Sequence, residues 1–287
     1  MFNKVLVATD FSSSAKALPY CLFALCPNLE TEIILTYITD DDDTPQSSAY
    51  HTAMEDLKSL EEQIQQAGYE DTCIIISSGE PFEEINRLAE EHDVELVLAA
   101  SHGKSYLSTT LMGSTTFDLA RVASYPLFIE KIYRADDNQV PLLRKVLLPT
   151  DFSRESLTSL NVIRSLRENI DEVVVVNVIE RSRNDKDLSV RITLAEQKLK
   201  ELVDEIKLYG VKASYIVEKG TASKRLRHIA EDVDASLVIM SKTGGGLIKG
   251  LLLGSTSQNF ALNSDRPILL LPADETEDDD DAIQHID

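Results

Sequence analysis

The sequence predicts two tandem, doubly wound α/β domains, each a five-stranded parallel sheet with helices on both faces. Three observations carry that prediction. At 287 residues the chain is long for one domain. Its opening segment, Lys4-Val5-Leu6-Val7-Ala8-Thr9-Asp10-Phe11-Ser12, returns 141 residues later as Lys145-Val146-Leu147-Leu148-Pro149-Thr150-Asp151-Phe152-Ser153, identical at seven of nine positions. In each half, short β-rich runs alternate with segments of helical periodicity, the pattern of helices laid over a parallel sheet.

The same offset carries Gly79 to Gly220, Gly103 to Gly244, Gly113-Ser114-Thr115 to Gly254-Ser255-Thr256, and Pro126 to Pro267. A period this long is a whole domain rather than a solenoid unit. The expected divisions are a first domain at 1–133, a linker at 134–141, a second domain at 142–273 and an acidic tail at 274–287. Strands are expected at about 4–9, 32–38, 72–78, 95–100 and 127–132, then at about 145–150, 172–178, 212–218, 236–241 and 268–272. The run Val173–Val176 is apolar at every position, as a strand covered on both faces must be. Between the strands, Leu57, Leu60, Ile64 and Ala67 keep helical spacing, as do Leu194, Leu199, Leu202 and Ile206. Four helices are expected in each half. Pro126 and Pro267 precede the final strands, where a missing N–H does least harm. An exposed apolar edge such as 127–132 would template aggregation, so it is expected to pair with 268–272 and make the halves an intramolecular pseudo-two-fold pair.

Composition excludes several classes. Lys and Arg total 28 against 49 Asp and Glu, a net charge of −21, which gives no basis for a nucleic-acid partner. The longest apolar runs have strand length, well short of the ~18 residues of a membrane helix, so no membrane partner is expected. The N-terminus enters a strand with no signal-peptide pattern. Cys21, Cys26 and Cys73 form no Cys-x-x-Cys, and the histidines lack metal-ligand spacing. A cytoplasmic protein with free thiols and no metal site is expected. The charge is uneven: residues 1–140 carry −16, residues 141–273 carry +3, and the tail adds eight acids and no base.

The fourth strand of each half runs into a Gly-bearing loop and then a helix. The first reads Ala99-Ala100-Ser101-His102-Gly103, nine residues, then Gly113-Ser114-Thr115; the second reads Met240-Ser241-Lys242-Thr243-Gly244, nine residues, then Gly254-Ser255-Thr256. Glycines let a bulky anion approach the backbone, and a helix start offers unpaired N–H groups at the positive end of its dipole. This is the chemistry of a phosphate cradle. The plain structural alternative is a Gly C-cap and a Ser N-cap bounding a loop. Doubly wound sheets hold ligands beyond the carboxyl ends of their strands, where both copies lie. The true P-loop spacing fails because Leu251 stands where its Lys should be, and no Gly-x-Gly-x-x-Gly follows either opening strand.

These residues resemble the universal stress protein family in its tandem form. Its nucleotide signature is Gly-x2-Gly-x9-Gly-Ser/Thr, after an opening strand that ends in Thr-Asp. Gly103-x9-Gly113-Ser114 and Gly244-x9-Gly254-Ser255 match the last three fixed positions, and Thr9-Asp10 and Thr150-Asp151 match the strand end. Ala100 and Ser241 replace the first Gly. The resemblance covers everything but the linker and the tail. It implies a sheet order of 3-2-1-4-5 and an adenine nucleotide (ATP, ADP or AMP, with magnesium an optional companion) lying across the strand ends. The residues implied are Thr9, Asp10, Ile38, Ala99, Ala100, Gly103, Gly113, Ser114 and Thr115, and in the second half Thr150, Asp151, Val178, Met240, Ser241, Gly244, Gly254, Ser255 and Thr256. Asp10 and Asp151 would bond the base or ribose, Ile38 and Val178 would flank the adenine, and the Gly and Ser positions would take the phosphates. The half nearer neutrality is the better host for an anion.

The function expected is a stress-response sensor or accessory module. Two other readings stay open: a slow ATPase or phosphotransferase, and a nucleotide-free partner-binding module suggested by Ala100 and Ser241. No catalytic residue is assigned, since His102 has Thr243 as its repeat partner. A further homodimer also stays open.

Overall fold

Among the described residues, apolar, β-branched runs form ten strands. They are β1 (Lys4–Ala8), β2 (Glu32–Thr39), β3 (Thr72–Ser78), β4 (Leu96–Ala100), β5 (Leu127–Glu130), β6 (Val146–Pro149), β7 (Glu172–Ile179), β8 (Lys212–Lys219), β9 (Leu237–Ser241) and β10 (Ile268–Leu271). The helices are α1 (Leu18–Leu25), α2 (Ser48–Gln66), α3 (Pro81–Glu91), α4 (Ser114–Val122), α5 (Arg154–Leu157), α6 (Ser159–Ser165), α7 (Asp185–Leu208), α8 (Ala222–Asp232) and α9 (Ser255–Asn263). The computed structural model describes residues 2–39, 45, 47–101, 112–131, 140–180, 182, 184–244 and 253–272. Most of the expected linker and the whole 274–287 tail lie outside these residues, as do Gly103 and His102.

All ten strands belong to one sheet, ordered β3-β2-β1-β4-β5-β10-β9-β6-β7-β8. Read inward from its outer edge, each half has the order 3-2-1-4-5 in its own numbering, and every pairing within a half is parallel. Helices cover both faces. One buried cluster joins Leu22, Leu57, Phe128, Leu148, Leu199 and Leu269; the other joins Leu88, Leu119, Ile129, Leu226, Phe260 and Ile268. Both clusters contain residues of both halves. The repeat is not perfectly regular. β1 pairs Val5 with Ile33 while β6 pairs Val146 with Val173, so β2 and β7 stand 140 residues apart rather than 141, and Ile38 is the equivalent of Val178.

One expectation needs correction. The first helical segment of the second half is two short helices, α5 and α6, meeting at Thr158. Hydroxyls there compete with the helical ladder: Ser156 Oγ donates to Ser153 O, Thr158 Oγ1 to Glu155 O, and Ser159 Oγ to Ser156 O.

The expected seam is present. β5 and β10 pair antiparallel, with Ile268 opposite Ile129, Leu269 opposite Phe128 and Leu270 opposite Leu127, and every residue of both strands is buried. Two lysines tie the halves across it. Lys131, just beyond β5, donates from Nζ to Ala261 O at 2.6 Å, and Lys242, just beyond β9, donates to Ala123 O at 2.5 Å and Arg121 O at 3.2 Å. Each ammonium thus sits near the carbonyl-bearing C-terminal end of the other half's last helix, α9 or α4, where the dipole favours a cation.

Burial still works against their charge. It pushes Lys131 down to about 7, with Asp265 and Glu130 partly opposing, and Lys242 down to about 8. An unfolded lysine keeps its proton to about 10.5. Between about pH 7 and 8.5 the unfolded chain therefore binds more protons, and the stability contributed at these sites rises with pH. Lys131→Met is expected to flatten that rise by up to one proton, ~1.4 kcal/mol per pH unit. Urea unfolding at pH 7.0, 7.75 and 8.5 checks this, and an unchanged slope in the variant would contradict it. Above about pH 9 Cys26 and Tyr69, both raised to about 12 mainly by burial, act in the opposite direction.

Candidate functional site

The carboxyl ends of the strands are built alike in the two halves. Thr9 N donates to Thr36 O at 3.0 Å and Thr150 N to Val176 O at 2.8 Å, the last rungs before the chain turns. The turn is then made by side chains. Phe11 N donates to Thr9 Oγ1 and Phe152 N to Thr150 Oγ1, at 3.1 and 2.9 Å, while Ser12 N and Ser153 N each donate to the preceding aspartate's Oδ1 at 3.0 Å. Thr-Asp is thus a turn-forming pair as well as a ligand candidate. Phe11 and Phe152 take positive φ, 56° and 65°, a costly conformation for a bulky residue. Packing holds it: Phe11 stacks on Tyr37 at 5.6 Å, and Lys198 Nζ lies 5.0 Å from the Phe152 ring centroid.

The phosphate-loop candidates begin and end at the adjacent strand. Gly113 N donates to Ser101 O at 2.6 Å and Gly254 N to Lys242 O at 2.7 Å. Thr116 Oγ1 and Ser257 Oγ return to Ala100 O and Ser241 O, each at 2.8 Å. These bonds plant the starts of α4 and α9 on the ends of β4 and β9. The expected alternative of a Ser N-cap is not what forms: Gly113 and Gly254 are the N-caps, with no side-chain cap bond. Their angles, φ −74° and −68° with ψ 165° and 148°, are open to any residue. Glycine is therefore not needed there for backbone reach. Its effect is that the cap residue itself supplies no side-chain acceptor to the first N–H groups of either helix.

In the second half these parts enclose a cavity of about 550 Å³. Its lining includes all nine candidates from that half: Thr150, Asp151, Val178, Met240, Ser241, Gly244, Gly254, Ser255 and Thr256. Volumes of this order are usual for small-molecule sites. At Gly244 a Cβ would meet Asp151 Oδ2, so a larger residue there would have to displace that carboxylate. The aspartate beyond β6 thereby lies against Gly244. Sequence reasoning missed Val176, Glu180, Ala222 and Leu226, and also Pro149, Ser156, Thr243 and Ser257, which line the same cavity. Val176 and Glu180 share a strand face with Val178 and were within reach of period-two alternation. Ala222 and Leu226, at i and i+4 on α8, carried no local signal.

In the first half, Thr9 and Ala99 are buried at strand ends, and Asp10, Ile38 and Ala100 are half-buried beside them. Gly113, Ser114 and Thr115 open α4, while Gly103 lies outside the described residues. Asp10 Oδ2 is buried with no hydrogen-bond partner among the described residues. Cys21 and Cys26 are buried in the core and Cys73 is exposed. No metal-binding group of three or more His, Cys, Asp or Glu occurs among the described residues, and no described helix is long and apolar enough to cross a membrane.

The model of the universal stress protein family matches twice, over residues 1–131 and 143–272. The chain belongs to the universal stress protein family. The two matches follow the sequence repeat, and membership places the chain among stress-response proteins. Among individual relatives, Universal stress protein MJ0577 of Methanocaldococcus jannaschii is 25% identical over 154 residues, covering 45% of this chain and 95% of that protein. A universal stress protein from Archaeoglobus fulgidus has the same fold across both halves: TM-score 0.71 at 20% identity, covering 96% of this chain and 98% of that one. A universal stress protein solved in complex with cAMP is 22% identical over 45% of this chain and 96% of that one, with a TM-score of 0.37.

Proposed function

We propose that this chain is a cytoplasmic tandem stress protein that binds an adenine nucleotide (ATP, ADP or AMP) in the cavity of its second half and acts as a sensor or accessory module. The two units are taken as 1–133 and 142–273. The observation that carries the reading is the cavity itself, lined both by apolar residues and by the start of α9, whose N-cap makes no side-chain bond. Val176, Val178, Leu226 and Met240 form a slot for a planar base. Asp151, at the end of β6, is an acceptor for ribose hydroxyls. Ser255, Thr256 and the first N–H groups of α9 receive phosphate oxygens without requiring a lysine. Gly244 and Gly254 keep the backbone open to that group. The first half has the same turn and the same helix start, which support a second, equivalent site built on Thr9, Asp10, Ile38, Ala99, Ala100, Gly103, Gly113, Ser114 and Thr115. Its net charge of −16 makes it the poorer host.

Native mass spectrometry of the freshly purified full chain tests the reading. Retained AMP, ADP or ATP, or titration of the emptied chain with micromolar affinity in the presence or absence of Mg2+, is the expected result. A chain that retains nothing and binds none of the three at millimolar concentration contradicts it.

A further inference from the structure

The sheet has two open edges. Among the described residues β3 pairs only with β2 and β8 only with β7, so each presents a row of backbone N–H and C=O groups on its outer side. These are also the two described strands in which no residue is buried: Ile74, Ile75 and Ile76 of β3, and Ile216 and Val217 of β8, are only half-buried. Charge sets the two edges apart. Residues 66–87, around β3, hold five acids and one base, whereas their repeat at 207–228, around β8, holds one acid and six Lys or Arg. We propose that β8 of one copy of this chain docks against β3 of a second copy, so that the protein associates head to tail through its sheet edges. The contact does not depend on what the cavity binds.

Direction and charge select this pairing. Strands run parallel within each half and antiparallel across the β5–β10 seam, so β3 and β8 run in opposite directions. A second copy in the same orientation therefore brings its β3 antiparallel to β8, the arrangement already used at the seam. With β3 laid along β8, Glu70 and Asp71, which precede β3, meet Lys219 at the end of β8, and Glu80, which follows β3, meets Lys212 at its start. All five side chains are exposed. The two-fold alternatives, β3 on β3 or β8 on β8, put acid on acid or lysine on lysine. Edge lysines commonly keep strands apart; here they exclude a second β8 and attract β3. The net charge of −21 opposes contact between copies, but at ~0.15 M salt it is screened beyond about 8 Å, while charges that meet at the edge lie within that range. The two surfaces differ and lie at opposite ends of the sheet, so copies add one after another instead of closing as a dimer. One strand pair is a small interface, and an affinity of about 10–100 µM is expected.

Sedimentation equilibrium of the full chain tests this, with melting temperatures measured alongside. At about 1 µM the chain is expected to be single; at about 200 µM in ~0.15 M NaCl its average mass should exceed that of two chains and still be rising. In ~1 M NaCl the association should weaken about tenfold or more. Two double variants locate the contact. Glu70→Lys with Asp71→Lys turns the β3 edge basic, and Lys212→Glu with Lys219→Glu turns the β8 edge acidic. Each alone is expected to lose about tenfold or more in association with its melting point held, and an equimolar mixture of the two to recover it. A wild-type chain that stays single at about 200 µM, or a dimer that grows no further, overturns the inference. So do variants that associate as the wild type does, and a mixture that stays as dissociated as its parts. If a variant unfolds, the wild type decides: an average mass that does not fall in high salt overturns the inference.

Discussion

Replacing Gly254 with Asp is expected to abolish nucleotide binding in the second half while leaving the fold as stable as before. The two effects have separate causes at one position. As the N-cap of α9, residue 254 has φ −68° and ψ 148°, which aspartate adopts without strain. Aspartate is also a slightly better N-cap than glycine, since its carboxylate accepts from the N–H groups of the first turn. The gain is a few tenths of a kcal/mol, so the melting temperature should stay level or rise by about 1 °C. Those same N–H groups are what a phosphate would need. An internal carboxylate occupies them and adds a like charge at the anion's position. Affinity for AMP at this site is expected to fall about 100-fold or more, equivalent to ~2.8 kcal/mol. Calorimetric titration and thermal unfolding of the same samples check both halves of the statement. Unchanged affinity would mean that the start of α9 does not hold the phosphate. Lost affinity together with a melting point lowered by many degrees would mean that Gly254 serves the fold.

How far the sequence reveals this site depends on which physical signal each residue carries. Thr150, Asp151, Gly244, Gly254 and Ser255 are visible because duplication repeats them at a fixed spacing beside apolar strands. Spacing does not say why they are there. Only the backbone angles show that Gly254 is not a conformational necessity, and only the position of Asp151 shows that Gly244 lies against its carboxylate. Ala222 and Leu226 reach the cavity through the packing of α8 over β7, a contact that no local pattern encodes. The seam lysines are a harder case. A lysine at a strand end reads as a solvated terminus, yet Lys131 and Lys242 are buried and bond carbonyls near the end of the other half's last helix. The division of α5 from α6 likewise reflects hydroxyl–backbone bonds that the apolar periodicity of that segment does not report.

The seam should also be where a single truncation costs the most. Phe128 is fully buried and lies opposite Leu269 in the only antiparallel pairing of the described sheet. Its ring belongs to the cluster that includes Leu22 from the first half and Leu148 and Leu269 from the second. Phe128→Ala therefore empties space that neither half can refill alone, and a loss of about 3–5 kcal/mol is expected. That is a large share of the 5–15 kcal/mol typical of folded proteins. The consequence is not confined to stability. β5 and β10 are apolar along their whole length, and a loosened seam exposes both as unpaired edges. The variant is expected to unfold at lower urea and to self-associate on mild heating, in contrast to Leu57→Ala. The latter removes a fully buried side chain of α2, a helix with no part in the seam pairing, and should lower stability by about 2–5 kcal/mol without that association. Urea unfolding and light scattering on the two variants distinguish the cases. A loss below about 1 kcal/mol in Phe128→Ala, or equal self-association in both variants, would show that the halves are held together elsewhere than along β5 and β10.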